Sequence, residues 1–266
     1  MKKFLLSLST WVLAILFFFP VFWMFLNSFK TDFDASTDPK LFFSPTLEQF
    51  REVIDSKFWE AFASSFFIVI VSTIIVMLLA VPAAYALSIK PIPKWRDMLF
   101  FFISTKFLPI VAGILPIYIL ADALSLLNSR TVLIILYTAM NLPLAVWMLN
   151  SFFREVPKEL IEAARIDGAS IRSQITSVIL PIVAPGLAAT ALLCFIFAWN
   201  EFFFALQLNV NDYQTVPIWV KGAVDERGNF IAELSAASTL ATMPVIIAGW
   251  FAQKKMIRGL SMGAIK

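Results

Sequence analysis

The sequence predicts an all-α membrane protein with six transmembrane helices and both termini on the cytoplasmic side. Three observations carry this. Hydrophobic residues make up 60% of the 266 and charged residues only 15%, where an average soluble domain is about half apolar and a quarter charged. The apolar residues gather into six runs, each long enough for the roughly 20 residues that cross about 30 Å of hydrocarbon. Lysine and arginine then favour alternate connections between the runs, the asymmetry that sets membrane orientation.

The first run, Leu8 to Phe29, follows Lys2 and Lys3. It is too long for the apolar region of a signal peptide, and it ends at Asn27-Ser-Phe-Lys30 without a small-residue cleavage pattern, so residues 1–29 are read as a retained first helix. Residues 30–60 are read as an extracytoplasmic loop. Asp32, Asp34, Asp38, Pro39 and Pro45 interrupt any continuous helix there, and Leu47 to Phe58 has the pattern of a short amphipathic helix.

Residues 61–252 hold the remaining five runs. Ala61 to Ile89 is the second, closed by Lys90-Pro-Ile-Pro-Lys94, whose prolines cannot continue a helix. Met98 to Ala121 is the third and contains Lys106, Pro109, Gly113 and Pro116. Thr131 to Phe153, with Pro143 inside, is the fourth. Ile179 to Leu206 is the fifth, opening at Leu180-Pro181 and Pro185-Gly186. Leu234 to Phe251, with Pro244, is the sixth, and residues 253–266 form a cytoplasmic tail.

With the N-terminus inside, the inner segments hold 13 of the 21 lysines and arginines: Lys2 and Lys3, then Lys90, Lys94 and Arg96, then Arg154, Lys158, Arg165 and Arg172, then Lys254, Lys255, Arg258 and Lys266. The outer segments hold 7, and Lys106 lies within a span. This orientation puts the polar segment 154–178 on the cytoplasmic side.

Composition also excludes functions. The net charge is only +3, and a basic balance in a membrane chain reflects inner-side lysines and arginines, so no nucleic-acid partner is expected. Cys194 is the single cysteine and there is no histidine, which removes disulfide frameworks, thiolate clusters and the commonest general base and metal ligand. A membrane-embedded enzyme therefore lacks a catalytic constellation. A self-contained secondary transporter or channel, the alternative from another class, usually shows an internal repeat or more intramembrane ionisable groups. No Gly-x-x-x-x-Gly-Lys-[Ser/Thr] phosphate loop is present, so any ATP chemistry must enter from a separate subunit.

Prolines 20, 82, 109, 116, 143, 181, 185 and 244 fall in or at the ends of the runs. Each removes a backbone hydrogen bond that lipid cannot replace. Two readings follow: kinks that help helices pack, or the bent walls of a translocation path.

In the inner segment, Pro157 suits the first turn of a helix over Lys158 to Ile166, with Leu160, Ala163, Ala164 and Asp167 spaced to share a face. Gly168 can end it in a left-handed conformation and Ser170 can cap a following helix that leads to Pro181. Ala163, Ala164 and Gly168 let a surface approach closely, and Glu162, Arg165 and Asp167 place charges beside them. The residues alone leave an interfacial helix on lipid and a docking knob both open.

The pattern Glu162-Ala163-Ala164, with Gly168 six residues after the glutamate and Leu180-Pro181 at the end, resembles the EAA loop of permease subunits in bacterial ATP-binding-cassette (ABC) importers. Val178 stands where that family usually has Ile. The resemblance implies a MetI-like ABC importer permease fold, with a coupling helix between helices 4 and 5 that seats in a cleft of a cytoplasmic ATPase. The coupling residues it implies are Glu162, Ala163, Ala164, Arg165, Asp167, Gly168 and Ala169.

Ile166-Asp-Gly-Ala169, Trp199-Asn-Glu-Phe202 and Arg258-Gly-Leu-Ser-Met-Gly-Ala264 resemble the maltose-type, carbohydrate-uptake branch and its smaller permease. Thr105-Lys-Phe-Leu-Pro109 and the C-terminal Ser261-Met-Gly-Ala-Ile-Lys266 resemble the polyol (mannitol, sorbitol) importers or a trehalose or disaccharide relative. The implied partners are a second homologous permease subunit, an ATPase subunit dimer, an extracytoplasmic substrate-binding protein, the carbohydrate and the lipid bilayer. No cofactor is expected on this chain, with ATP and Mg handled by the ATPase.

Two charges fall inside the runs. Lys106 lies about eight residues into the third and Glu201 deep in the fifth, and charge at such depth is costly unless paired or wet. Lys106 reads equally as a side chain reaching the interface or as a cavity group. Glu201 reads as a structural hydrogen bond or, with Trp199 and Asn200, as a polar wall of the solute path, where sugar hydroxyls would find hydrogen-bond partners and C–H faces an aromatic ring.

Overall fold

The computed structural model describes residues 2–37, 40–89, 92–208, 215–227 and 230–263. Met1, Asp38, Pro39, the Lys90-Pro91 start of the predicted turn, residues 209–214 and 228–229 of the third outer loop, and Ala264 to Lys266 lie outside the described residues. Helix is the regular structure throughout the described residues.

In chain order the helices are α1 (Lys2–Asn27), α2 (Asp32–Thr37), α3 (Glu48–Asp55) and α4 (Phe58–Ser88). Then come α5 (Trp95–Ser104), running into the 3-10 turn Thr105–Phe107, α6 (Ile110–Ala123), α7 (Arg130–Arg154) and α8 (Lys158–Ile166). Next is α9 (Ile171–Ile182), which includes a π-helical turn Gln174–Ile179. The last are α10 (Ala184–Trp199), α11 (Phe203–Leu208), α12 (Val216–Arg227) and α13 (Ile231–Gly263).

Four of these, α1, α4, α7 and α13, are long and apolar enough to cross a membrane. The third and fifth predicted spans are not single helices. Trp95–Phe107 meets α6 at 91°, and α9 meets α10 at 83°, so the chain has up to six spans if each bent pair is one. The prolines explain both bends. Leu108 and Pro109 are extended between α5 and α6, and Pro181 and Pro185 flank the break at Val183, with Pro185 in the first turn of α10. Pro20, Pro82, Pro116, Pro143 and Pro244 lie inside helices that continue through them.

The chain divides into two compact units, residues 1–63 with 215–243 and residues 64–214 with 244–266. In the first, the Thr46 N–H donates to the Phe29 carbonyl at 2.8 Å, closing the loop after α1. Lys30 is fully buried there, its Nζ 4.5 Å from the Trp23 ring centroid and 5.2 Å from that of Phe43. Such cation–π contacts offset part of the cost of burying an ammonium. The Asp32 carboxylate accepts from the Ala232 N–H at 3.0 Å, capping the start of α13, and Phe58 packs edge-on to Trp219 at 5.0 Å.

The second unit is built on ridges of residues spaced by four, which lie along one side of a helix. On α4 the buried row is Ile68, Ser72, Val76, Ala80 and Ala84; on α7 it is Leu133, Tyr137, Asn141, Ala145, Leu149 and Phe153; on α10 it is Gly186, Thr190, Cys194 and Ala198. Helix α10 packs on α7. A Cβ on Gly186 would stand 2.3 Å from the Phe152 ring, so the close approach there requires glycine. Outward residues such as Ile74, Leu78 and Ile135 are exposed and apolar, a surface suited to lipid and unsuited to water.

Candidate functional site

Helix α8 follows the buried Val156, with Pro157 as its N-cap residue. Its end is a Schellman motif. The Ala169 N–H donates to the Ala164 carbonyl at 2.9 Å and the Gly168 N–H to the Arg165 carbonyl at 3.0 Å, with Gly168 left-handed at φ 76°. The Ser170 hydroxyl then accepts from the Ser173 N–H at 3.2 Å and caps α9. The turn between the two helices is thus held by backbone bonds on the α8 side and by a side-chain cap on the α9 side.

The structure corrects the predicted face. Leu160, Ala163, Ala164 and Asp167 do not share one environment: Ile161 and Ala164 point inward, and Leu160, Ala163 and Asp167 are exposed. Ile161 belongs to the buried cluster that holds Tyr85, Leu87, Phe153, Val156 and Ile179. That burial fixes the helical phase. Glu162, Ala163, Arg165, Ile166, Asp167 and Gly168 therefore stand outward, Ala169 is half-buried, and Ile166 is 86% exposed. A small residue beside an exposed isoleucine and charges of both signs is a surface another protein can cover.

Behind this surface, Gln174 is 5% exposed. Its Nε2 donates to the Ala169 carbonyl at 2.8 Å, and its Oε1 accepts from the Tyr85 hydroxyl at 3.3 Å. Neither residue stood out in the sequence, because the pair is separated by 89 positions.

Of the four path candidates, Glu201 differs in depth from expectation. Glu201 is not deep in a span: α10 ends at Trp199, and Glu201 precedes α11, its Oε1 accepting from Phe204 N–H at 2.9 Å and its Oε2 from Ala205 N–H at 3.3 Å. The Tyr137 hydroxyl donates to the Glu201 carbonyl at 3.4 Å. The apolar run Phe202 to Leu206 disguised this break in the sequence. Trp199 is buried and stacks on Phe195 with centroids 5.8 Å apart. Asn200 is exposed and its Nδ2 donates to the Ile196 carbonyl at 2.8 Å. Lys106 is also exposed, in the 3-10 turn at the 91° bend. Its Nζ donates to the Met140 carbonyl at 2.9 Å and lies 6.0 Å from the Phe197 centroid.

Residues 80–259, two-thirds of the chain and all of α8 and its supports, match the family described as binding-protein-dependent transport system inner membrane component. The chain belongs to this family. It is a membrane permease, and its apolar helices lie in the inner membrane. Among its relatives, a probable ABC transporter permease of Sinorhizobium fredii is 35% identical over 100% of this chain and 96% of its own. The sulfoquinovosyl glycerol transport system permease SmoH of Agrobacterium fabrum is 32% identical over 93% and 88%. The trehalose/maltose transport system permease MalG of Thermococcus litoralis is 33% identical over 100% and 98%.

The fold matches solved ABC importers. A bacterial transporter that imports the acidic polysaccharide alginate aligns with TM-score 0.78 at 24% identity, covering 95% of both chains. A structure of a bacterial alginate transporter in complex with its pentasaccharide-bound periplasmic protein aligns with TM-score 0.67 at 14% identity, covering 94% of this chain and 93% of that one.

Proposed function

We propose that this permease is one half of the translocation path of an ATP-driven importer of a sugar or sugar glycoside, and that the outward face of α8 is where an ATPase subunit engages it. Both chain termini and α8 lie on the cytoplasmic side, and residues 30–60 with the Gln207 to Glu233 connection face a substrate-binding protein on the other. A second, homologous permease completes the path. ATP and its magnesium are bound by the ATPase, since this chain has no phosphate loop.

The observation that carries the coupling assignment is the anchored helix α8. Its inner side is fixed by Ile161 and its end by the Gly168 turn, while Glu162, Ala163, Arg165, Ile166 and Asp167 are presented outward. A rigid, mixed apolar and charged surface transmits displacement, where a loose loop would absorb it. The solute class rests on relatives that handle trehalose/maltose and sulfoquinovosyl glycerol. In the path, exposed Asn200 and Lys106 offer polar groups to solute hydroxyls, and buried Trp199 and Glu201 hold the α10 end that carries Asn200.

The test is ATP hydrolysis by the complex reconstituted in liposomes with its binding protein and a panel of trehalose, maltose, diacetylchitobiose, mannitol and sorbitol. A sugar in the panel should stimulate hydrolysis and be taken up. Stimulation by a polyol alone would move the solute class, and ion-gradient-driven uptake without an ATPase would favour a self-contained secondary transporter.

A further inference from the structure

The Gln174 side chain is a two-sided link. One end holds the Ala169 carbonyl, the last residue of the α8 turn, and the other end is held by the Tyr85 hydroxyl on α4. Both Gln174 and Tyr85 are buried, at 5% and 6% exposure, so water does not compete for these bonds. Gln174 is also the first residue of the π-helical turn Gln174–Ile179. Such turns are rare, carry a wider ring of backbone bonds, and concentrate at functional sites.

Chemistry limits what can replace this link. The amide donates to a carbonyl through its nitrogen and accepts from a hydroxyl through its oxygen, a pair of bonds that an apolar side chain of similar length such as methionine cannot make. The backbone N–H of Gln174 separately donates to the Ser170 carbonyl at 2.8 Å, which keeps the residue in helical register whatever its side chain does. The side-chain bonds are therefore surplus to holding α9 together. Their effect is to join the turn after α8 to a span whose next residues, Ala80 and Ala84, pack in the buried ridge.

We propose that Gln174 and Tyr85 are positioning residues that pass displacement of α8 to the end of α4, so that an ATPase movement at the outward face reaches a membrane span through one buried amide. This rests on the coupling reading of α8 given above. The apolar contact of Ile161 keeps α8 seated, and the Gln174 relay makes its end and α4 move together. Without the amide, α8 stays docked but its turn slides over α4.

The test uses the permease purified with its ATPase, in the wild type and as Gln174→Met and Tyr85→Phe, with and without ATP plus vanadate. Hydrogen exchange is followed over residues 158–169 and 80–89. In the wild type, trapping should slow exchange in both segments. In either variant the response over 158–169 should persist while that over 80–89 falls about fivefold or more, the low end of a coupling free energy between sites. Combining both changes should add little, since either one breaks the chain. An unchanged response over 80–89 in both variants overturns the proposal, as does a wild type in which 80–89 never responds. Loss of the ATPase from Tyr85→Phe, the milder change, makes the link a structural anchor and equally overturns it. If the wild type carries no ATPase at all, the coupling reading itself fails, which separates that failure from failure of the relay alone.

Discussion

Gly168 and Gly186 are both needed as glycine, for opposite reasons. At Gly168 nothing stands within 4 Å of where a Cβ would be, but φ is +76°, so a side chain costs only backbone strain, about 1–2 kcal/mol for an L-residue held left-handed. Gly168→Ala should lower the thermal stability of the detergent-solubilised complex by that amount, with Gly168→Asn milder, because asparagine tolerates this region. At Gly186 the backbone is ordinary and the space is filled by the Phe152 ring. Gly186→Ala should cost about 1–3 kcal/mol by overpacking, and Phe152→Leu should recover part of it; no recovery would show that the contact is not the cause. Gly168 was legible in the sequence from its place after a helical run. The Phe152 contact was not, since it joins two helices. Glu201 was misplaced for a related reason: apolar residues on both sides hid a helix end. With both carboxylate oxygens on backbone N–H groups, Glu201→Ala should cost about 0.5–2 kcal/mol as a lost helix cap. Solute affinity in uptake assays should change little, and a large affinity change with unchanged stability would contradict the capping role.

Among the elements, α8 separates stability from function. Ile161 is buried in the core of its unit and Ile166, five residues on, is 86% exposed. Ile161→Ala should destabilise by about 2–5 kcal/mol, the usual range for emptying a buried isoleucine site. Ile166→Ala should leave unfolding unchanged and weaken association with the ATPase. The reverse pattern in thermal scans and co-purification would show that the helix faces the other way. The sequence located this helix and its turn, because Pro157, Gly168 and Ser170 carry local chemistry, but apolar residues at 160, 161 and 166 left its phase undecided. Burial chose it. The bent pairs tell the same story: Pro109, Pro181 and Pro185 announced interruptions, while the 91° and 83° angles depend on what each half packs against.

For the whole molecule, the six-run pattern was legible because lipid demands long apolar stretches with internally satisfied backbones. Pairing was less so, since ridges on α4, α7 and α10 meet only in three dimensions. Large apolar side chains remain exposed along α1 and α6, among them Trp11, Phe17, Val111 and Leu120, and lipid or a second permease must cover them in the membrane. The account's central claim is that ATP bound elsewhere moves this chain through α8. Purification of the tagged chain from its own membranes tests it most directly, using Glu162→Lys and Ile166→Asp beside the wild type. The account predicts that the wild type brings with it, in equal amount to both permeases together, a polypeptide bearing the Gly-x-x-x-x-Gly-Lys-[Ser/Thr] loop that hydrolyses ATP, and that both variants lose it while remaining folded. A wild-type chain that purifies without such a subunit yet still carries out uptake would contradict it.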